Sequence, residues 1–498
     1  MKRIFLIFLF FAFSSLVISG QSNLQSLIQI GVSKTYNMEF DAAEKIFNRA
    51  IERYPNQPHG YFRTAQLHFW LFLGTRDPGE YFVFLKFADL AQKKIDKILD
   101  ADEKNYRIQY MAGSLNSYKA MAYATNNSTV DALWASKKSV NYFEETLDLN
   151  KRYYDAYLGL GIFDYAMGFV PDFLKWAVNL TGLSSDKDRG LRYIKTAFNK
   201  GTEKTEAAFH LAKIYTDYLA DYDSAYYYLN YNIERYPGNT LFLYQYAVTL
   251  MKDHKFDLAN DLLNKIIKIN NAKIPQIISL AHYRKGEIFF KKNNFKAAIK
   301  EYDKFLSSTK EIDFIGTAAF NVAICYKFLG DDDECRKYLD KVSEGNQDIF
   351  EDSYAMNKSQ HYKSNGIPEE DLILIRMSNS FETGKVKIVY DSFKTVPGNF
   401  HSNVHKAMAL IYFSDAALRL EKHSEANDAC EQIKSMSLSS EKWIIPNAYL
   451  NMALANYHVG EKVKAIELLQ EADENNDYEF KDRIQALIEN LKRKLNKK

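Results

Sequence analysis

The chain has 498 residues, of which 47% are hydrophobic and 26% charged, so it can bury a large core and is not a disordered protein. Its formal net charge of +2 provides no strong positive field, which argues against nucleic acid as a partner. Nine prolines and 21 glycines are few for this length, and they favour helices with short connections over a turn-rich β protein.

The N-terminus has the pattern of a secretory signal peptide. Lys2 and Arg3 precede an uncharged stretch from Ile4 to Val17, and the small residues Ser19 and Gly20 suit a cleavage site. We therefore predict a signal peptide over residues 1–20 and an exported protein, periplasmic or associated with a bacterial cell envelope. An uncleaved membrane anchor is the alternative, which the short apolar stretch disfavours.

Three consecutive segments share one spacing of small and large residues. Each has a small residue, an apolar or aromatic residue three positions later, a second small residue twelve positions after the first, and a large residue four further on. The sets are Ala247, Leu250, Ala259 and Leu263; Gly286, Phe289, Ala298 and Tyr302; and Ala323, Tyr326, Cys335 and Leu339. Small residues at these positions let two helices of a hairpin approach closely, and the large residues fill the space between them.

These spacings resemble the tetratricopeptide repeat (TPR), a helix–turn–helix unit. Further matching segments begin at Gly31, lie around Ala225 and span Ala453–Ala472. The resemblance implies an all-α, right-handed superhelical solenoid of about ten TPR-like hairpins, in which each hairpin contacts only its neighbours. The amphipathic segment at residues 480–496 suits a C-terminal capping helix.

The repeat pattern also predicts how the chain is divided. We expect a first TPR-like array over residues 21–345, with an insert at 168–185, and a second, less regular array over residues 346–498. The insert separates a first helix, Tyr157–Met167, from a second, Asp186–Lys200. In the irregular part we predict helices at Ile349–Tyr362, Leu372–Phe381, Val386–Phe393 and Val404–Leu420.

A narrower resemblance covers about 60 residues around the insert. The segments YLGLGIFDYAMGFVPDFLKW and DKDRGLRYIKTAFNKG are similar to a region of the inclusion-body clearance type of TPR proteins and their bacterial relatives. The shared features are a glycine-rich helix, an apolar insert and an RGL start to the next helix. This resemblance implies an interaction protein without catalytic activity.

Aromatic residues recur three positions before the first small residue of several hairpins. The resemblance to TPR proteins implies that the first helix of each hairpin lines a concave groove, and rings at matching positions can hold an extended peptide or a partner helix. The candidate groove residues are Tyr110, Phe209, Tyr244, Tyr283 and Phe320. Packing of these rings between neighbouring hairpins is the alternative. The candidate docking residues of the insert are Phe169, Phe173, Leu174 and Trp176.

Signatures of catalysis are weak throughout the sequence. It contains no P-loop, no G-x-S-x-G and no H-E-x-x-H motif. Gly159 and Gly161 superficially suggest a dinucleotide loop, but no strand precedes them, and we interpret them as close-packing positions on a helix. The run Asp331-Asp332-Asp333-Glu334 fits the capped start of a helix better than a calcium loop. We predict no enzymatic activity and no cofactor.

Two groups of residues leave alternatives open. His401 and His405 have the i, i+4 spacing of metal ligands, but the sequence shows no third ligand, and we predict no metal site. Cys325 and Cys335 flank a predicted turn and are either a disulfide or two small buried residues.

We therefore predict a non-enzymatic TPR scaffold that binds a protein or peptide partner in the cell envelope through its concave groove. Two other functions are kept as alternatives. One is an enzyme acting on envelope polymers with a site near residues 155–190. The other is an adaptor on a membrane surface, which is not favoured and which requires the apolar side chains of the insert to be exposed on one patch. A membrane-spanning segment is disfavoured, because charges at Asp164, Asp172 and Lys175 interrupt the apolar stretch.

Overall fold

The computed structural model describes residues 23–167, 186–394, 400–478 and 481–496. These residues form 24 α-helices and no strand, which confirms the all-α prediction. The first twelve helices are α1 (23–36), α2 (Phe40–Arg53), α3 (His59–Thr75), α4 (Pro78–Ala101), α5 (Tyr106–Thr125), α6 (Thr129–Leu149), α7 (Ala156–Met167), α8 (Lys187–Lys200), α9 (Lys204–Asp217), α10 (Tyr222–Arg235), α11 (Thr240–Lys252) and α12 (Phe256–Ile269).

The remaining helices continue without a long irregular stretch among the described residues. They are α13 (Gln276–Lys291), α14 (Phe295–Ser308), α15 (Ile315–Leu329), α16 (Asp332–Lys341), α17 (Phe350–Asn365), α18 (Glu369–Glu382), α19 (Val386–Phe393), α20 (Asn403–Arg419), α21 (His423–Lys434), α22 (Ile444–His458), α23 (Lys462–Glu474) and α24 (Lys481–Leu495). Successive helices pack as pairs, among them α3 with α4, α5 with α6, α7 with α8, and α13 with α14. The described helices include none that is both long and apolar enough to cross a membrane.

Small residues determine how closely the two helices of a hairpin approach. A Cβ atom added to Gly286 on α13 would lie 2.6 Å from the ring of Tyr302 on α14. A Cβ atom added to Gly31 on α1 would likewise lie 2.2 Å from the ring of Phe47 on α2. Tyr302 is fully buried by this packing, and burying a side chain of this size contributes roughly 1.5–3 kcal/mol. The predicted TPR spacing is therefore the physical basis of the hairpins.

Local capping also follows the sequence. The carboxylate of Asp331 accepts a hydrogen bond of 3.1 Å from the backbone N–H of Glu334, so the acidic run begins helix α16 as predicted. Asp186 caps α8 through the backbone N–H of Arg189 at 2.9 Å. Helix α7 contains Gly159 and Gly161, which confirms that these glycines belong to a helix.

Contacts between Cα atoms divide the chain into two compact units. Among the described residues, unit 1 contains those up to Leu211, together with Tyr228–Phe242 and Asn271–Pro275. Unit 2 contains Ala212–Tyr227, Leu243–Asn270 and the residues from Gln276 onwards. The predicted division at residue 345, the number of hairpins and the handedness of the array stay predictions.

The expectation that each hairpin contacts only its neighbours is wrong inside unit 1. Asn239 donates a hydrogen bond of 2.8 Å to the backbone carbonyl of Tyr36, which is 203 positions earlier in the chain. Asn271 donates in the same way to Met38 at 3.4 Å. Polar side chains therefore link helices that are far apart in the sequence.

Inside unit 2 the C-terminal helix forms a comparable long-range contact. The buried side chains of Ile484, Ile488 and Leu491 pack α24 against the hydrophobic core of the preceding hairpin, as expected of a capping helix. On another face of α24, Asn490 donates hydrogen bonds of 3.1 Å to the backbone carbonyls of Leu219 and Ala220. The helix is thus fixed by both apolar and polar contacts.

Candidate partner-binding surfaces

The two predicted groove residues of unit 1 are half-buried and lie against other rings. The ring of Tyr110 on α5 lies 5.9 Å from that of Phe143 and 5.0 Å from that of Tyr153. The ring of Phe209 on α9 lies 5.9 Å from that of Phe242. Both side chains retain some solvent-accessible surface. Their role as binding residues stays a prediction.

The three predicted residues of unit 2 differ in exposure. Tyr283 is only 1% exposed and packs against the rings of Tyr302 and Phe305, so its ring has no surface left for a partner. Phe320 is half-buried and stacks on Tyr362. Tyr244 is also half-buried and presents its hydroxyl to Arg284 Nε at 3.1 Å.

Other predicted elements lie outside the described residues. These are the signal peptide at residues 1–20 and the insert with Phe169, Phe173, Leu174 and Trp176. Beside the insert, Asp164 forms a bidentate ion pair with Arg189, with distances of 2.6 and 2.7 Å. This carboxylate, which lies in the segment where the enzyme alternative places a site, therefore holds α7 against α8.

A buried polar network lies within unit 1, and we call it the inner cluster. Arg63 on α3 donates to Glu203 at 2.9 Å and to Gln66 at 2.6 Å. Gln66 donates to the hydroxyl of Tyr118 at 2.6 Å, and that hydroxyl donates to the carboxylate of Glu206 at 3.2 Å. These hydrogen bonds thus connect the carboxylate of Glu203, just before α9, to the carboxylate of Glu206 on α9. The connection runs through Arg63, Gln66 and Tyr118.

The two carboxylates of the inner cluster have different electrostatic surroundings. Glu203 is paired with the guanidinium of Arg63. Glu206 is 8% exposed, and the only hydrogen bond of its carboxylate among the described residues comes from Tyr118. Burial, followed by the negative charge of Glu203, raises the pKa of Glu206 to about 7. The inner cluster therefore holds a carboxyl group that ionises at a much higher pH than an exposed glutamate does.

A second group of ionisable side chains lies within unit 2, and we call it the arginine cluster. It consists of Lys291 on α13, Glu382 on α18, Asp415 and Arg419 on α20, and Arg483 on α24. Lys291 Nζ lies 2.9 Å from a carboxylate oxygen of Glu382. Asp415 and Arg419 are four positions apart on one helix face, and Arg419 lies over a neighbouring phenyl ring. Arg419 and Arg483 are solvent-exposed, whereas the other three are half-buried.

Charges in the arginine cluster affect one another. Burial raises the pKa of Asp415 to about 6, although a hydrogen bond of 2.7 Å from Asn451 and the charge of Arg483 oppose that rise. Partial desolvation lowers the pKa of Arg483, but the carboxylates of Glu382 and Asp415 outweigh it and the net shift is upward. Apart from the ion pair between Lys291 and Glu382, these groups therefore influence one another without direct ion pairs among the described residues.

The candidate histidine pair is engaged with carboxylates. His405 lies between Glu370, at 2.7 Å, and Asp371, at 3.0 Å, while His401 lies 3.0 Å from Glu370. No group of three His, Cys, Asp or Glu side chains within the described ranges is arranged to hold a metal ion. These histidines therefore connect the start of α20 to the start of α18.

The cysteines do not form a disulfide. Cys325, Cys335 and Cys430 are free and buried. Burial raises the pKa of each thiol, that of Cys430 to about 12. Cys325 and Cys335 are therefore two small buried residues and not a disulfide.

Neither ionisable cluster was predicted from the sequence. One signal was present: Arg63 and Gln66 interrupt the apolar helix α3, and Asp415 interrupts the apolar helix α20. Polar residues within an otherwise apolar helix point to specific hydrogen-bond partners. The sequence alone does not show which distant residues those partners are.

The hairpins, the close glycine–aromatic contacts and the polar residues on the first helices together define a TPR-type helical repeat protein. The chain belongs to the Iml2/Tetratricopeptide repeat protein 39 family, whose family model matches residues 115–376. No curated protein sequence matches the chain.

Several solved structures are similar to this chain. One is YrrB, described as a TPR protein with an unusual peptide-binding site, at 16% identity, covering 45% of this chain and 97% of YrrB, with a TM-score of 0.29. A TPR protein from Parabacteroides merdae ATCC 43184 is 14% identical, with coverage of 58% and 99% and a TM-score of 0.27. A chain of the APC/C hetero-tetramer Cut9-Hcn1 is 13% identical, with coverage of 95% and 98% and a TM-score of 0.27.

Proposed function

We propose that this chain is a non-enzymatic TPR scaffold that binds a protein or peptide partner. The observation that carries the proposal is the line of half-buried polar and aromatic groups on the first helices α11 and α13. Tyr244 contacts Arg284, and Arg284 Nη1 donates to Glu287 at 2.6 Å. Side chains that keep accessible surface while being held in place suit recognition of a partner at small entropic cost.

Partner recognition by this line of residues depends on many modest contacts. Tyr and Arg side chains provide large contact areas and directional hydrogen bonds, which is why they dominate the energetics of many interfaces. Membership of a TPR family supports the same role, because repeat arrays present extended surfaces for other proteins.

Site-specific photo-crosslinking in cells tests the proposal. A photoreactive amino acid is placed at Tyr244 on α11 or, as the matched control, at Leu258 on α12 of the same hairpin, where the side chain is 57% exposed. We expect a discrete crosslinked protein from position 244 that is absent from position 258. Equal capture from both positions, or none from position 244, contradicts the proposal.

We further propose that the protein works in the cell envelope. The basic and apolar pattern of MKRIFLIFLFFAFSSLVISG supports export. A fusion of residues 1–30 to alkaline phosphatase, which is active only after export, tests this. We expect phosphatase activity, and we expect that Phe8→Asp, which interrupts the apolar stretch, abolishes it. Activity that the substitution leaves unchanged contradicts the proposed location.

A further inference from the structure

A polar pocket lies within unit 1, among helices α4, α5 and α6. Its volume is about 480 Å³, which falls within the range of roughly 300–1,000 Å³ that is typical of small-molecule sites. Every described residue that lines the pocket has a polar or charged side chain. Small-molecule sites are usually lined mainly by apolar side chains. This pocket therefore suits a ligand that is polar over most of its surface.

One of the lining side chains is buried without a complete set of hydrogen bonds. Asn116 lies in the middle of α5 and is only 6% exposed. Its amide nitrogen donates to the backbone carbonyl of Ala112 at 2.8 Å, while its side-chain oxygen accepts no hydrogen bond among the described residues. A buried polar atom normally has a partner, and the pocket provides the space for one.

The charged residues that line the pocket also keep hydrogen-bonding capacity. Lys138 and Glu145 on α6 are exposed and form no ion pair with another described residue. Asp96 on α4 accepts a hydrogen bond of 2.7 Å from Gln92 but likewise has no cationic partner within the described ranges. An anionic ligand would meet the carboxylates of Asp96 and Glu145, and a cationic ligand would meet the ammonium group of Lys138. The lining therefore favours a neutral ligand.

Hydroxyl groups match this mixture of donors and acceptors. A hydroxyl can accept from Lys138 and can donate to Glu145 or to the side-chain oxygen of Asn116. A carboxylate ligand cannot donate to these acceptors, and an ammonium ligand cannot accept from the lysine. The amides of Gln92 and Asn141, which also line the pocket, both donate and accept. A neutral molecule with several hydroxyls can therefore satisfy the lining from several sides at once.

We propose that the pocket among α4, α5 and α6 binds a short neutral saccharide. Asp96, Glu145 and the side-chain oxygen of Asn116 accept hydrogen bonds from its hydroxyls, and Lys138 donates to them. The half-buried ring of Tyr142 provides accessible aromatic surface for the apolar face of a sugar ring. This inference goes beyond the proposed scaffold function and is independent of it, because the pocket shares no residue with the candidate groove or the inner cluster.

Titration calorimetry on the full chain tests the inference with defined probes. The neutral disaccharides are cellobiose, lactose, mannobiose and N,N′-diacetylchitobiose, and the charged comparison probes are glycylglycine and inorganic phosphate. We expect at least one disaccharide to bind with a stoichiometry of one, and we expect neither charged probe to bind. Saturation-transfer difference NMR on the bound disaccharide then identifies which of its protons contact the protein.

Variants of the lining locate the binding site. Asp96→Ala and Glu145→Ala each remove an exposed acceptor and are expected to weaken binding of that disaccharide about ten-fold, the effect of one hydrogen bond to a charged group. Asn116→Leu removes the buried amide and is expected to abolish binding. The matched control is Glu144→Ala, at the neighbouring exposed carboxylate of α6, which lies outside the pocket lining and should leave binding unchanged.

Circular dichroism checks that the variants keep the helical fold, and the two exposed positions test the site even if Asn116→Leu does not fold. The absence of binding by any of the disaccharides, tighter binding of glycylglycine or phosphate, or an equal loss from Glu144→Ala overturns the inference. Crosslinking from Tyr244 in unit 2 is a separate measurement, so a failure of saccharide binding leaves the scaffold function standing.

Discussion

The inner cluster of unit 1 and the arginine cluster of unit 2 both gather ionisable side chains from helices that are distant in the sequence, but they differ in how their hydrogen-bonding groups are used. In the inner cluster, Arg63 is bound to Glu203 and Gln66, and the network continues through Tyr118 to Glu206. In the arginine cluster the guanidinium of Arg483 remains exposed and has no direct ion pair within the described residues.

This difference separates a closed structural network from a group in which a cation remains exposed. A buried polar network is stable only when its members satisfy one another, and removing one member leaves the others without a partner. An exposed guanidinium is hydrated and can exchange its water for a ligand at small cost to the fold. Substitution of the arginine should therefore cost much stability in the inner cluster of unit 1 and little in the arginine cluster of unit 2.

The largest effect is expected at Arg63. Arg63→Met removes two hydrogen bonds and leaves the carboxylate of Glu203, which is 18% exposed, without its cation. We expect the free energy of unfolding to fall by about 3 kcal/mol, measured by chemical denaturation. The control is Arg49→Met on α2, an exposed arginine of the same unit, with an expected change below about 0.5 kcal/mol. Equal effects of the two substitutions would show that the inner cluster is not a structural network.

The second effect concerns the pH dependence of stability. The pKa of Glu206 is raised from 4.5 to about 7 in the folded chain. The stability that comes from the preferential protonation of this carboxyl group in the folded state is therefore fully present below about pH 4.5 and is lost as the pH rises through 7. Glu206→Gln keeps an acceptor for Tyr118 and does not ionise. We expect the variant to be more stable than the parent by about 2 kcal/mol at pH 8, with no gain at pH 4.5.

Thermal unfolding monitored by circular dichroism at a series of pH values measures this change. Glu52→Gln, at an exposed position of α2, is the matched control and should leave the pH profile unaltered. A parent chain whose stability does not decline between pH 4.5 and 8 relative to Glu206→Gln would refute the raised pKa and the desolvation on which it rests.

The third effect is a smaller one of the same kind in unit 2. The pKa of Asp415 is raised from 3.8 to about 6, so its contribution to stability is present below about pH 4 and is lost as the pH rises through 6. Because Asp415 is only half-buried, solvent reduces the effect. We expect Asp415→Asn to add about 1 kcal/mol at pH 7, and exposed Asp428→Asn to add nothing measurable. If Asp415→Asn adds more stability than Glu206→Gln does, burial acts more strongly on the arginine cluster than on the inner cluster, contrary to this expectation.

The sequence predicted the local structure well, because the repeat spacing acts over short distances. The start and end of α7 and α8 were predicted within one residue, and Val386–Phe393 agrees at both ends. The packing of Gly286 against Tyr302 follows from the same spacing. In these cases the side chains that determine the structure are within one hairpin.

The clusters could not be predicted because their members meet across long stretches of chain. Tyr118 and Glu206 are 88 positions apart, and Arg63 and Glu203 are 140 apart. Which first helices meet depends on the accumulated rotation of each hairpin relative to the next, and small differences in helix length alter it. Tyr283 follows the alternative given for the aromatic rings, because it packs against Tyr302 and Phe305 and is completely buried.

The smallest expected effect on stability is at Arg483, and it tests whether the arginine cluster is a structural network. Arg483→Gln should change the free energy of unfolding by less than about 0.5 kcal/mol, because the side chain is exposed and breaks no direct ion pair among the described residues. Asn490→Ala on the same helix provides the comparison, since it removes hydrogen bonds to Leu219 and Ala220 and should cost about 1 kcal/mol. If Arg483→Gln destabilises unit 2 as strongly as Arg63→Met destabilises unit 1, both clusters are structural networks. If stability is unchanged, the fold does not depend on the charge of Arg483.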